Sequence, residues 1–227
     1  MNPLNLRENK PLGLFGGTFD PVHFAHLRLA EAAWCELGLS GVRWIPAGCP
    51  VLRDAPRVDA RRRLEMVRRA IADNPHFELD AAEVEASQPS YTVPTLERLR
   101  SAGQFGEKHS LVLLVGADAF SSLPAWYRWE SLFDLAHIAI AHRPGCPVDP
   151  ETLPEPLSKI CRQRFSAASE ALSLAPAGSI VNFPMTPLDI SATRVRQLLA
   201  AGLSTRYLLP DPVIAYIEEH RFYCQER

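Results

Sequence analysis

A short apolar run that breaks into two glycines and then into a histidine-containing segment constrains the fold of this chain more than any other feature. The run, LGLF at 12–15, has the length of a buried strand in a parallel sheet. Gly16 and Gly17 follow it, and glycine lets the main chain approach a ligand closely because it has no Cβ. A helix is predicted to begin near Phe24. The segment therefore predicts a strand, a turn and a helix whose first amides face an anion.

Two histidines stand at the start of this predicted helix. His23 and His26 are three residues apart, so both side chains can face one side of the first helical turn and hold one phosphate group from two points. The plainer alternative for each is a helix cap or a surface position. An HxxH pair can also bind zinc, but a structural zinc site needs four ligands and no CxxC motif or nearby His/Cys pair completes one. We therefore predict no metal site formed by the protein alone.

Strand-like and helix-like segments alternate along the rest of the chain. The predicted strands are 42–45, 77–79, 111–115, 137–141 and 180–183, and the predicted helices are 27–37, 60–72, 95–101, 157–172 and 213–220, with Asp59 and Asp211 as caps. This order predicts an α/β fold, a Rossmann-like doubly wound parallel sheet with helices on both faces and a ligand at the carboxyl ends of the strands. We predict a single domain over 1–227, with a surface excursion at about 143–179.

A second segment with anion-binding character, ISATRVR, lies near the C-terminus. Ser191 and Thr193 can cap a helix and place hydroxyls in its first turn, and Arg196 follows one turn later. The alternative is an ordinary capped amphipathic helix with exposed arginines. Arg194 is predicted to be a solvated surface charge.

Charge and cysteine content narrow the partners of this protein. The formal net charge is −2, whereas a duplex-binding domain normally has a basic excess, so we predict no nucleic-acid partner. The five cysteines are irregularly spaced and predict no disulfide framework. No apolar run reaches the ~18 residues of a membrane helix and no signal-peptide core is present, so we predict a cytoplasmic protein without a membrane partner.

One arginine-rich stretch is predicted to be the solvated side of a helix. The apolar stripe of that helix is Leu64, Val67 and Ile71. The arginines assigned to its solvated side are Arg61, Arg62, Arg63, Arg68 and Arg69.

The segments GGTFDPVHFAH and ISATRVR together resemble the two signatures of the nucleotidyltransferase superfamily, a GTFD-type turn followed by HxGH and a distal ISxTxxR. Ala25 stands where that family usually has glycine, which narrows the space for a phosphate. The resemblance implies that His23, His26 and Arg196 are catalytic. It also implies an ATP site composed of Gly16, Gly17, Thr18, Phe19, His23, His26, Asp118, Ser191, Thr193 and Arg196.

The middle and end of the chain are similar to bacterial nicotinate-nucleotide adenylyltransferases. The similarity consists of GAD at 116–118, WY at 126–127, RPG at 143–145 and the ending YLLPDPVIAYIEEHRFY. It implies that Trp126 stacks on the pyridine ring of nicotinate mononucleotide and that amides near Tyr127 and Thr92 receive the ring carboxylate. Asp20 is assigned to the same acceptor site.

Three further positions follow from this resemblance. Asp118 would contact a nucleotide ribose, the alternative being a helix N-cap, and Trp129 is predicted to pack in the core. A PPHK-like segment of the family is replaced here by PVLR at 50–53. Arg53 keeps the positive charge, whereas Leu52 replaces the histidine and receives no role.

The reaction implied by the resemblance is transfer of AMP from ATP, with Mg²⁺, to nicotinate mononucleotide, giving nicotinate adenine dinucleotide and pyrophosphate. The nucleophile is the phosphate of the substrate, so the protein needs only to align the reactants and neutralise charge. Two alternatives stay open: another phosphorylated acceptor such as nicotinamide mononucleotide, or a nucleotide-binding module without turnover. The sequence does not specify the oligomeric state.

Overall fold

Strands and helices alternate through most of the computed structural model, which describes residues 10–51, 55–86, 88–101, 105 and 107–224. The strands within these residues are β1 (Leu12–Gly17), β2 (Gly41–Pro46), β3 (Cys49–Pro50), β4 (Phe77–Leu79), β5 (Pro89–Ser90), β6 (Leu111–Gly116), β7 (His137–His142) and β8 (Ile180–Pro184). The helices are α1 (Phe24–Glu36), α2 (Ala60–Ile71), α3 (Ala82–Glu85), α4 (Thr92–Ser101), α5 (Ala117–Ser121), α6 (Leu132–Leu135), α7 (Leu157–Arg164), α8 (Ala171–Leu174), α9 (Ala192–Ala200) and α10 (Asp211–His220).

The main sheet is parallel and has the order β4-β2-β1-β6-β7-β8. The chain runs outward from β1 to β2 and β4, and then returns to place β6 on the other side of β1. The direction of winding therefore reverses between β1 and β6, and ligands of such sheets bind at this point, beyond the carboxyl ends of the strands. The predicted α/β class is confirmed.

Helices cover both faces of this sheet because its strands are apolar on both sides. Leu12 and Leu14 of β1 face a core completed by α4, α5, α6 and α7. Phe15 of the same strand faces the opposite core, which α1, α2 and α10 complete. Successive strand residues point to opposite faces, so one continuous apolar run serves both cores.

Several predicted elements have different bounds in the structure, among them the helix predicted over 95–101, which begins at Thr92. The helix predicted over 157–172 is two helices, α7 and α8, because the chain between them turns to pair with β8, where the amide of Ser166 donates to the carbonyl of Ile180. Asp211 does not cap the last helix. It is the first helical residue, and Pro210 is the cap.

The segment at 143–179 connects β7 to β8. Much of it is exposed, but Leu157 and Cys161 are buried in the core beneath α7 and Leu172 is buried in the other core. This segment is therefore part of the helical layer. Among the described residues, no helix has both the length and the apolar character needed to cross a bilayer.

Candidate active site

A cleft of about 1750 Å³ opens at the carboxyl ends of β1 and β6, where the winding of the sheet reverses. The structure brings to it nearly every site residue predicted from the sequence. The lining includes Gly16, Gly17, Thr18, Phe19, Asp20, His26, Thr92, Asp118, Trp126, Tyr127, Ser191, Thr193 and Arg196. His23 is the exception and lies behind this surface.

The end of β1 and the turn that follows it form one wall of the cleft. A Cβ added to Gly17 would lie 2.8 Å from Cζ of Phe19, so the Phe19 ring needs glycine at this position. Phe19 itself has a left-handed φ of 50°, and its ring packs against Phe15 and Trp44 in the core. The turn therefore presents main chain to the cleft, while the Phe19 ring lies below it.

The two histidines occupy different layers. Their rings stack with centroids 3.6 Å apart, and the main-chain amide of His23 donates to Nδ1 of His26 at 3.2 Å. Because Nδ1 of His26 is an acceptor, the proton of the neutral ring lies on Nε2. His23 is only 5% exposed, and burial lowers its pKa to about 4. His23 is therefore a neutral side chain that supports the His26 ring.

The start of α9 contributes another wall. Ser191 caps this helix, and its hydroxyl accepts from the amide of Arg194 at 3.2 Å, as predicted. The guanidinium of Arg196 turns into the cleft, where Nη2 donates to Oγ1 of Thr193. Arg194 is exposed. The two arginines of this helix are therefore distinct: one lines the cleft and the other is a surface charge.

Asp20 joins several parts of the site. Its carboxylate accepts from the amide of Arg57 at 2.8 Å and from the hydroxyl of Tyr223 at 2.7 Å, and its main-chain oxygen accepts from Nη1 of Arg196 at 2.8 Å. Asp20 is 6% exposed. Its role in acceptor binding stays a prediction, since these contacts already use both carboxylate oxygens.

Aromatic side chains also line the cleft. Trp126 is partly buried, and Tyr127 is half exposed with its ring 4.7 Å from that of Tyr91. Thr92 begins α4, so its amide belongs to the group that lacks an acceptor within the helix. Groups of this kind can stack against a flat ring and donate hydrogen bonds to a carboxylate.

The structure bears on the alternative role of Asp118 as a helix cap and on the predicted core packing of Trp129. Asp118 is not a helix cap, because Gly116 occupies that position in α5, and the Asp118 side chain is exposed at the cleft. Trp129 packs against the core beside Phe133, as predicted. Leu52 and Arg53 lie outside the described residues.

The prediction that Arg63 belongs to the solvated side of α2 is wrong. Arg63 is 1% exposed, and its guanidinium reaches under the cleft to donate to four main-chain carbonyls. They are Val58 at 3.0 Å, Thr18 at 2.6 Å, Ala47 at 2.7 Å and Gly48 at 3.0 Å. Burial lowers its pKa from the usual value, but arginine remains charged in proteins. Arg63 therefore joins the turn after β1 to the loop after β2.

Residues of α3, β5 and α4 hold the other side of the loop after β2, and sequence analysis did not identify them. The hydroxyl of Ser90 accepts from the amides of Gly48 and Cys49 at 2.9 and 3.1 Å. Glu83 accepts from Thr95 at 2.6 Å and also hydrogen-bonds Ser90, while burial raises the pKa of its carboxyl. The strands β3 and β5, which contain Cys49 and Ser90, are two residues each, which is too short for hydrophobic periodicity to indicate them.

Comparison with known proteins gives matches over nearly the whole chain. Residues 14–198 match the model of the cytidylyltransferase-like family. The protein of Dechloromonas aromatica named probable nicotinate-nucleotide adenylyltransferase is 59% identical over 215 residues, which cover 95% of this chain and 98% of that protein. The protein of the same name from Pseudomonas putida strain W619 is 45% identical over 212 residues, covering 93% and 94%.

Solved structures share the fold at low sequence identity. Nicotinic acid mononucleotide adenylyltransferase of Plasmodium falciparum, complexed with NaAD, aligns with a TM-score of 0.70 at 15% identity, covering 94% of this chain and 97% of that one. A nicotinate-nucleotide adenylyltransferase structure from Vibrio parahaemolyticus, described as putative, aligns with a TM-score of 0.62 at 14% identity, covering 96% and 97%. These two likenesses concern the fold alone.

Proposed function

The chain belongs to the cytidylyltransferase-like family, among the nicotinate-nucleotide adenylyltransferases, and we propose that it transfers AMP from ATP to nicotinate mononucleotide, forming nicotinate adenine dinucleotide and pyrophosphate. One observation carries this proposal. A single cleft joins the glycine turn and His26 to Arg196 of α9, and it continues to the aromatic pair Trp126 and Tyr127. Such a cleft suits a triphosphate at one end and a flat ring at the other.

Catalysis in this cleft consists of alignment and charge neutralisation. The phosphate of nicotinate mononucleotide attacks the α-phosphorus of ATP, the new P–O bond forms, and the bond to pyrophosphate breaks. The Nε2–H of His26 donates to the α-phosphate, and His23 holds the His26 ring from behind. Arg196 neutralises the β- and γ-phosphates. These donors are fixed before the reaction, so they stabilise the charge that grows in the transition state.

The other predicted contacts complete the two substrate sites. The main chain of Gly16, Gly17, Thr18 and Phe19 cradles the phosphates, and Asp118 accepts from a ribose hydroxyl. Ser191 and Thr193 add hydroxyl donors at the triphosphate end. Thr92, Tyr127 and Asp20 complete the acceptor site around the ring stacked on Trp126. We propose that these residues act within one domain spanning 1–227.

Magnesium would enter this cleft bound to the phosphates of ATP, as part of the nucleotide substrate. Within the described residues no three His, Cys, Asp or Glu side chains are grouped to hold a metal ion. Mg²⁺ commonly binds substrate phosphates and water with only one or two carboxylates. The ion would supply positive charge to the phosphates, while His26 and Arg196 bind and orient them.

A pyrophosphate-release assay tests the proposal, with ATP and Mg²⁺ and with nicotinate or nicotinamide mononucleotide in parallel. We expect turnover with the acid, slower turnover with the amide, and a mass corresponding to nicotinate adenine dinucleotide. His26→Ala and Arg196→Ala should each lower kcat by about 10²- to 10³-fold. Arg194→Ala is the matched control on α9 and should retain activity.

The outcomes separate the alternatives. Equal rates with acid and amide would contradict the assigned acceptor. ATP binding without pyrophosphate release would indicate a binding module. A turnover of His26→Ala within about tenfold of the wild-type value would contradict the role of that histidine.

A further inference from the structure

The C-terminal segment after α10 reaches the floor of the cleft. The hydroxyl of Tyr223 donates to Oδ1 of Asp20 at 2.7 Å, although the two residues are 203 positions apart. Tyr223 is largely buried, and burial together with the charge of Asp20 raises its pKa far above the usual value. The phenol therefore keeps its proton and acts as a hydrogen-bond donor to the carboxylate.

The main chain is bent to deliver this hydroxyl. Arg221 and Tyr223 have left-handed φ values of 55° and 64°, a conformation that costs energy for residues other than glycine. Phe222 between them is 6% exposed and packs edge-on against Tyr216 of α10. The buried Phe222 ring anchors the bend and fixes the position of Tyr223.

Asp20 connects Tyr223 to the arginine in the cleft. With Oδ1 held by Tyr223 and Oδ2 held by the amide of Arg57, the Asp20 side chain has a fixed position. Its main-chain oxygen accepts from Nη1 of Arg196 at 2.8 Å, and the same nitrogen lies 4.0 Å from Oδ2. The position of the Arg196 guanidinium therefore depends on how Asp20 is held.

We propose that Tyr223 is a positioning residue for the nucleotide site, acting through Asp20 to hold Arg196 in line with the triphosphate. This proposal rests on the proposed function, which assigns Arg196 to the phosphates. It extends the site to a C-terminal residue that touches neither substrate. Because Tyr223→Phe removes one oxygen and keeps the ring, it tests the hydrogen bond without creating a large cavity.

The test measures the affinity of the full-length protein for α,β-methylene-ATP with Mg²⁺ by calorimetry, in parallel with the assay for nicotinate adenine dinucleotide. Tyr223→Phe should weaken analogue binding about tenfold, equivalent to about 1.4 kcal/mol, and lower kcat. Tyr216→Phe is the matched control, because it keeps the ring and its contacts with Arg69 of α2, His220 of α10 and Phe222, none of which is among the described residues that line the cleft. It should bind within about twofold of wild type. Urea midpoints establish that each variant is folded.

Measuring the effect of Tyr223→Phe in an Arg196→Ala protein distinguishes a positioning role from a general structural effect. If Tyr223 acts through Arg196, Tyr223→Phe should cause no further loss of analogue affinity in an Arg196→Ala protein. A loss below about threefold in the wild-type background, or an equal loss in both backgrounds, would overturn the proposal. If the wild-type protein binds the analogue but forms no dinucleotide, the proposed function is contradicted. If the wild-type protein does not bind the analogue, both the proposed function and the role of Tyr223 are overturned.

Discussion

Replacing Arg63 with methionine should destabilise the protein far more than any other arginine substitution on α2. Methionine has a similar length and fits a buried position, but it donates no hydrogen bond. The carbonyls of Thr18, Ala47, Gly48 and Val58 would lose the guanidinium that they share in the structure. Arg63 is 1% exposed and its contact with Val58 is buried, whereas those with Thr18, Ala47 and Gly48 are partly buried, so water replaces the lost donors only in part.

The cost follows from the number of acceptors left without a donor. A buried polar group without a partner costs about 1–3 kcal/mol, and four carbonyls are affected. Removing the buried charge offsets part of this cost, because the desolvation of the guanidinium is no longer needed. We expect a net loss of about 4 kcal/mol, which is a large share of the roughly 5–15 kcal/mol that stabilises a typical domain.

Urea denaturation followed by circular dichroism measures this loss. Arg61→Met is the matched control, because Arg61 is exposed two residues earlier on the same helix, and it should shift the free energy of unfolding by about 0.5 kcal/mol or less. Arg63→Lys should lie between, since an ammonium keeps the charge but cannot reach four carbonyls in one plane. A difference below about 1 kcal/mol between Arg63→Met and Arg61→Met would refute the reasoning.

Two further predictions concern the β1 turn and the buried histidine. Gly17→Ala should lower stability by about 1–3 kcal/mol, because its Cβ would meet the Phe19 ring at 2.8 Å. Gly16→Ala should keep the wild-type urea midpoint, because among the described residues only the Ile45 carbonyl would lie within 4 Å of its Cβ, at 3.9 Å, and equal losses would contradict this steric account. The pKa of His23 falls from 6.5 to about 4 on burial, so between these values the unfolded chain binds a proton that the folded protein does not. Stability should therefore fall by up to about 3 kcal/mol as the pH decreases through this window, and urea midpoints should show a shallower dependence in His23→Gln than in wild type.

The segments that sequence analysis placed correctly are those whose local chemistry permits few conformations. The apolar run and the helix from Phe24 are found as predicted, because strand length and helix capping are local constraints. Ser191 caps α9 for the same reason. In each case the residues that determine the structure lie within one turn of each other. Gly16 and Gly17 were predicted to form a turn, but they are the last two residues of β1 and pair with β2.

The contacts around Asp20 and Glu83 depend on folding across long sequence distances. Asp20 meets Arg57, Arg196 and Tyr223, and Glu83 meets Thr95 across a different loop. The topology of the sheet brings these partners together, and no local pattern in the sequence encodes the pairing. The resemblance to a family could therefore indicate that Asp20 belongs to the site, but it could not indicate what holds its carboxylate.

Arg63 shows that residue type alone does not predict which side of a helix is buried. It stands four residues before Val67 and eight before Ile71, so the geometry of the helix puts all three near one face. Its charge suggested the solvated side, whereas its position indicated the edge of the buried stripe. Arg63 is buried because the loops after β1 and β2 present carbonyls at that face of the helix, and these carbonyls stabilise its guanidinium away from water. An arginine in phase with an apolar stripe is therefore a signal for a buried main-chain contact, and here that contact lies directly beneath the proposed phosphate turn.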